Sequence, residues 1–238
     1  MTVSSFHGSV ITLLMIMLSG CQGNNTINGE DNTRNFRLEN VGKSDIDMIF
    51  DYQVKTTHEH LDNLMLKLYK RNPAYWRNSG FKTAKHKVDH LMALSEADLQ
   101  SRLSQKRSID AISLAFDESF QGDRVLAFVF GLKSMLSDAY EGKRSFFIMD
   151  QLDPQKLYNA ARNIEVAVWK LSNDRRPDGG LYLVSNELRG EIKNLSFERL
   201  FGKLIAIQDS SARIVADSTN RTIKNVLQGV ARFVFLPI

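Results

Sequence analysis

The chain is poor in the residues that punctuate or staple a fold. Its 238 residues include 4 prolines, 14 glycines, 2 tryptophans and one cysteine, Cys21. A lone cysteine closes no intrachain disulfide, so stability has to come from packing. A chain of this length buries enough apolar surface for that without disulfides or structural metals. Scarce proline and few alternating apolar–polar runs turn the reading toward helices and away from sheets. No apolar run reaches the roughly 20 residues that a membrane-spanning helix needs. Charge is nearly balanced, 31 Lys and Arg against 27 Asp and Glu. The cations are spread along the chain rather than gathered on one stretch, which argues against a nucleic-acid partner. Catalytic signatures are missing too. There is no G-x-S-x-G turn. Gly42-Lys43-Ser44 lacks the earlier glycine of a phosphate loop, that position being Arg37. No cofactor is expected.

What is present begins at the amino terminus. Residues 1–20 hold no Asp, Glu, Lys or Arg, and Val10 to Leu18 (VITLLMIML) is apolar apart from Thr12. That is too short to span a bilayer and has the length of a secretory apolar core. Leu18-Ser19-Gly20-Cys21 follows it. These four residues resemble the lipobox of bacterial lipoproteins. The resemblance covers residues 1–21 only. It implies cleavage before Cys21, with Leu18, Ser19 and Gly20 as recognition residues and the Cys21 sulfur as the lipidation site. A single acyl chain holds a protein marginally and two or more hold it stably, which suits a cysteine placed at the end of an apolar segment. One departure is that no Lys or Arg precedes the apolar core. The next residue is Gln22 rather than the aspartate that retains such proteins in the inner membrane. By the same resemblance, the expected location is the outer membrane, lipid-anchored and facing the periplasm. The periplasmic side of the inner membrane is the alternative.

Residues 21–45 read as the acylated cysteine and a tether rich in Asn, Gly, Asp and Thr. Its root-mean-square reach is roughly 25 to 30 Å. Residues 46–238 read as an all-α, irregular helical domain. Ile46, Ile49, Phe50, Val54, Leu61, Leu64, Met65 and Leu68 recur at helical spacing, predicting a first helix with Asp45 as its cap and Asn72-Pro73 as its stop. Ser95 with Asp98 predicts another start. Further helices are expected over Ile109–Phe120, over Arg124–Tyr140, and from Asp153-Pro154 to about Ser172. The Arg124–Tyr140 stretch is apolar on nearly every side in its first half, which marks the centre of a core. Phe146 to Met149 reads as a buried connector. Arg175 to Gly180 is a turn, and Leu181–Val184 fits a short strand or a helix start equally well.

From Ser196 to Phe235 no proline intervenes, and an unbroken helix there would be roughly 60 Å long. Small residues fill its middle. They serve either tight packing within the domain or a contact surface for a second protein. The candidate interaction residues are Ala212, Val215 and Thr219 there, and Phe233 and Phe235 in the apolar tail. The tail, Gly229 to Ile238, either caps the core or reaches a membrane or partner.

Four of five histidines fall between His58 and His90. His86 and His90 stand four apart, a spacing that presents two metal ligands on one helix face. Lys82, Lys85 and Lys87 surround them and oppose a cation, so surface histidines are the expected role and no metal site is assigned. Asp117 and Glu118 point to different faces, a poor start for paired-carboxylate chemistry. The expectation is a non-enzymatic envelope lipoprotein, held to the membrane by its lipid anchor and acting on a protein partner in an accessory role. A protein binding a lipid or small apolar ligand in a pocket lined by the central helix is the alternative. A cell-wall hydrolase is third.

Overall fold

Helices in this chain start where a short polar side chain can take up free backbone N–H groups. The computed structural model describes residues 44–146, 152–187, 194–219, 223 and 234–238, all within the compact unit Glu39–Ile238. Helix α1 spans Asp45–Arg71. Its cap is Ser44, one residue before the predicted Asp45. The Ser44 hydroxyl accepts the Asp47 N–H, and the Asp47 carboxylate accepts the Ser44 N–H at 2.8 Å. The Ser95–Asp98 pair builds the same reciprocal box at the start of α4 (Glu96–Ser101). Between them lie α2 (Ala74–Arg77) and α3 (Ala84–Met92). After α4 come α5 (Ser108–Leu114), α6 (Arg124–Ala139), α7 (Pro154–Asn173) and α8 (Ser196–Thr219). There is no named strand among the described residues, only two isolated antiparallel bridges, Arg175–Leu181 and Glu187–Asn194. The fold is all-α.

Thirteen of the sixteen residues of α6 are buried. It packs against α5, α1 and α7, while α8 lies along α7 and α1. Burying each large apolar side chain of such a helix is worth roughly 1.5 to 3 kcal/mol. The core carries a run of near-perpendicular rings, with Phe128 5.8 Å from Phe116 and 6.3 Å from Phe201. At the other end of α6, Phe146 is buried and packs at an angle between Phe50 and Tyr140. The rest of the Phe146–Met149 connector lies outside the described residues.

Several expectations need correction. Ile46 and Ile49 are 43% and 41% exposed rather than buried. Each sits one residue, about 100° of rotation, off the stripe that Asp47, Phe50, Val54 and Leu61 bury. The helix expected over Ile109–Phe120 ends at Leu114. Beyond it the buried Arg124 guanidinium collects the carbonyls of Ala115, Asp117 and Phe120, and Asp117 accepts from the Ser119 N–H. Those local partners compete with helical bonding. Leu181–Val184 is neither strand nor helix. Leu181 closes the turn opposite Arg175, and Asn72 holds Val184. The long last helix is described to Thr219, and Val234–Ile238 is not helical.

Two buried asparagines hold these irregular segments. Asn72 donates to the Val184 carbonyl at 2.9 Å and accepts the Val184 N–H at 2.8 Å. Asn163, fully buried on α7, does the same for Leu236, donating at 2.8 Å and accepting at 2.6 Å. Each side-chain amide stands in for the neighbouring strand that these extended residues lack. Asn159 adds a bond to the Pro237 carbonyl at 2.8 Å. The tail segment Val234–Ile238 is therefore docked on α7, with Phe235 and Ile238 packed against the core.

Candidate functional site

A partly enclosed hollow lies between α1, α3, α4 and α6. Its volume is about 230 Å³. Met65, Leu91, Leu99, Phe130 and Leu136 form the apolar part of its wall, and Thr57, Ser134, Ser137 and Tyr140 add polar groups. The amphipathic first helix and the largely apolar central helix meet here. Ser134 and Ser137 of α6 present small side chains where a larger one would close the gap. A more open depression adjoins it, bordered by Asp51, Lys55, Glu59 and Asp62. Val54, His58, Lys133 and Arg144 line both, so they form the doorway between interior and solvent.

The doorway is cationic. Lys133 lies 3.7 Å from the Asp62 carboxylate and 3.7 Å from the Met92 sulfur, a loose set of partners for a half-buried ammonium. Among the described residues Arg144 makes no ion pair. Other rim charges have partners as well. Glu96 pairs with Arg107, Glu59 with Lys55, and Asp51 accepts the Phe146 N–H at 2.8 Å. His58 is held below its ordinary pKa by burial first and then by the fields of Lys133 and Arg144, which the nearby Asp62 only partly offsets. Deeper in, burial raises the Tyr140 phenol. It lies 3.5 Å from the Ser211 hydroxyl, which bonds Gln53 at 2.8 Å.

A second polar cluster is buried where α1, α3 and α6 meet. Tyr69 donates to Asp123 at 2.7 Å, Lys87 pairs with the same carboxylate at 3.2 Å, and the other Asp123 oxygen caps α6 through the Leu126 N–H. Burial and the adjacent Asp123 push the Tyr69 phenol well up. Every oxygen of Asp123 is spoken for, and this knot does not line the hollow, so its chemistry is structural.

His86 and His90 are exposed and share the Phe81 ring, at 5.5 and 5.3 Å between centroids. Among the described residues no three His, Cys, Asp or Glu side chains gather to hold a metal ion. Asp117 and Glu118 are exposed and do not face a common hollow. Ala212 and Val215 are buried in the domain's own core, and the Thr219 hydroxyl donates back to the Val215 carbonyl at 2.7 Å. At Ala212 and Val215 the side chains face this chain's own core, on a helix that runs along α7 and α1. Phe235 is half-buried on the core. Phe233, Cys21, Leu18, Ser19 and Gly20 lie outside the described residues. Sequence reasoning missed Lys133 and Arg144, which stand far apart from His58 in the chain and carry no motif. Among the described residues no helix is long and apolar enough to cross a membrane.

Comparison with protein-family models, curated proteins and solved structures finds no match to this chain.

Proposed function

We propose that the chain is a non-enzymatic, lipid-anchored envelope protein whose helical domain binds a small apolar ligand in the hollow beside α6. The supporting observation is that hollow, about 230 Å³, with a cluster of apolar side chains in its wall and Lys133 and Arg144 where it opens. Ligand pockets are typically about 300 to 1,000 Å³, mostly apolar, with a few polar groups that fix orientation. This one is smaller than that range, a size for one small molecule. The anchor rests on Leu18-Ser19-Gly20-Cys21, and metabolic labelling with a palmitate analogue tests it. Label that Cys21→Ser removes supports the anchor, and an unlabelled wild type refutes it.

The ligand reading is tested with the full chain carrying Cys21→Ser and a neutral apolar dye, N-phenylnaphthylamine. Saturable fluorescence enhancement is expected, lost on Ser137→Phe, which fills the hollow from its α6 wall. Dye that does not bind saturably, or binds Ser137→Phe equally well, refutes it. An accessory role through protein contact has one observation of its own. Ile46, Ile49 and Tyr52 form an exposed apolar stripe at the start of α1, with Tyr52 66% exposed. A photocrosslinking residue at position 52 in intact cells tests this, and a lack of any discrete adduct speaks against it.

A further inference from the structure

The two ends of the hollow differ in chemistry, and that difference narrows the ligand. The walls include the apolar Leu91, Leu99 and Leu136. The doorway offers Lys133 and Arg144, the two cations that line both the hollow and the outer depression. An apolar molecule alone would leave them unused. A cation would meet them unfavourably. We propose that the hollow takes a single-chain acid, a fatty-acid-like amphiphile, with its chain between α4 and α6 and its acid head at Lys133 and Arg144.

This rests on the ligand-binding reading above and adds the head group. Three features support it. Ionised hydrogen bonds to carboxylates are the strong ones, and both a guanidinium and an ammonium are present to make them. Both cations act on His58, so their fields converge on the doorway rather than on separate faces. The small volume admits one chain more readily than the two of a phospholipid. The acids facing the doorway do not fill the role. Glu59 and Glu96 have partners of their own, and Asp51 is held by backbone. Asp62 is the competitor. One of its oxygens is buried without a hydrogen bond, 3.7 Å from the Lys133 ammonium. An incoming carboxylate takes Lys133 over from it.

The test uses the full chain with Cys21→Ser and two probes of equal chain length, decanoate and decanol, followed by displacement of the neutral dye. Decanoate is expected to bind about ten-fold more tightly than decanol at low salt, a difference that screening reduces. Lys133→Gln with Arg144→Gln removes that preference and leaves decanol affinity within about two-fold, as burial of the chain is unchanged. Retained decanol binding also shows that the double variant is folded. Asp62→Asn tightens decanoate and not decanol. Equal affinity of the wild type for both probes overturns the acid head while the apolar pocket stands. Failure of both probes to displace the dye overturns the pocket as well. A preference for decanoate that survives the double variant places the head elsewhere and refutes the assignment to Lys133 and Arg144.

Discussion

Asn163→Ala tests whether the carboxyl-terminal segment is part of the fold. In the native chain the Asn163 side chain makes both backbone bonds of Leu236, at 2.8 and 2.6 Å, and Leu236 is 7% exposed. Alanine removes both partners at once. Each net hydrogen bond is worth about 0.5 to 1.5 kcal/mol, and a buried group left unpaired costs about 1 to 3 kcal/mol. The segment can swing out to water, which limits the penalty but gives up the packing of Phe235 and Ile238 on the core. A loss of about 2 to 3 kcal/mol follows, which lowers the melting temperature of a domain this size by about 4 to 12 °C. Thermal melts by circular dichroism read this directly. The sharper form is a cycle with a chain that ends before Val234. If Asn163 acts through the tail, the two changes are strongly non-additive, since the second finds the interaction already gone. Additive losses, or a melting temperature for Asn163→Ala within about 1 °C of wild type, would refute the clamp.

Three further outcomes follow from the packing. Gly131→Ala would place its methyl 2.6 Å from the Ile112 backbone nitrogen, so α5 must shift and the loss is about 1 to 3 kcal/mol, read by chemical denaturation. Asp123→Ala strips the partners of buried Lys87 and Tyr69 and the cap of α6 together. It should cost about 3 to 5 kcal/mol, and a near-native melting temperature would contradict the buried pair. The pH dependence comes from His58 and His60, both held below 6.5 by burial first. The unfolded chain takes up these protons at a higher pH than the folded one, so stability is full above 6.5 and falls as pH drops below it. Glu165, pushed up by burial, works in the opposite sense. Comparing melts of wild type and His58→Gln at about pH 5.5 and 7.5 isolates the imidazole, and the variant should lose less on acidification.

Local patterns were legible where one residue's neighbours in sequence decide its state. The period of Phe50, Val54, Leu61 and Leu68 marked α1, and Asp153-Pro154 marked the start of α7. The all-round apolar character of Arg124–Tyr140 marked the central helix. Exceptions arose where a distant residue intervened. The end of α5 depends on Arg124 reaching back over three carbonyls, and its start depends on Ser134, which accepts the Ser108 N–H at 2.7 Å from the next helix. Ile46 and Ile49 have the right composition and the wrong angle.

The site shows the same division more strongly. Sequence alone determined the class of fold, because amphipathic period, caps and breakers are local properties of the chain. It also carried the lipobox resemblance, on which the anchor proposal rests, since that signal is a linear motif. Tertiary structure alone decided that His58 on α1 shares a doorway with Lys133 of α6 and with Arg144 beyond it. It decided too that Asn72 and Asn163, unremarkable as isolated asparagines, each hold a segment more than seventy residues away. Convergence of this kind depends on how helices cross, and a crossing is fixed by packing of many side chains at once rather than by any spacing along the chain.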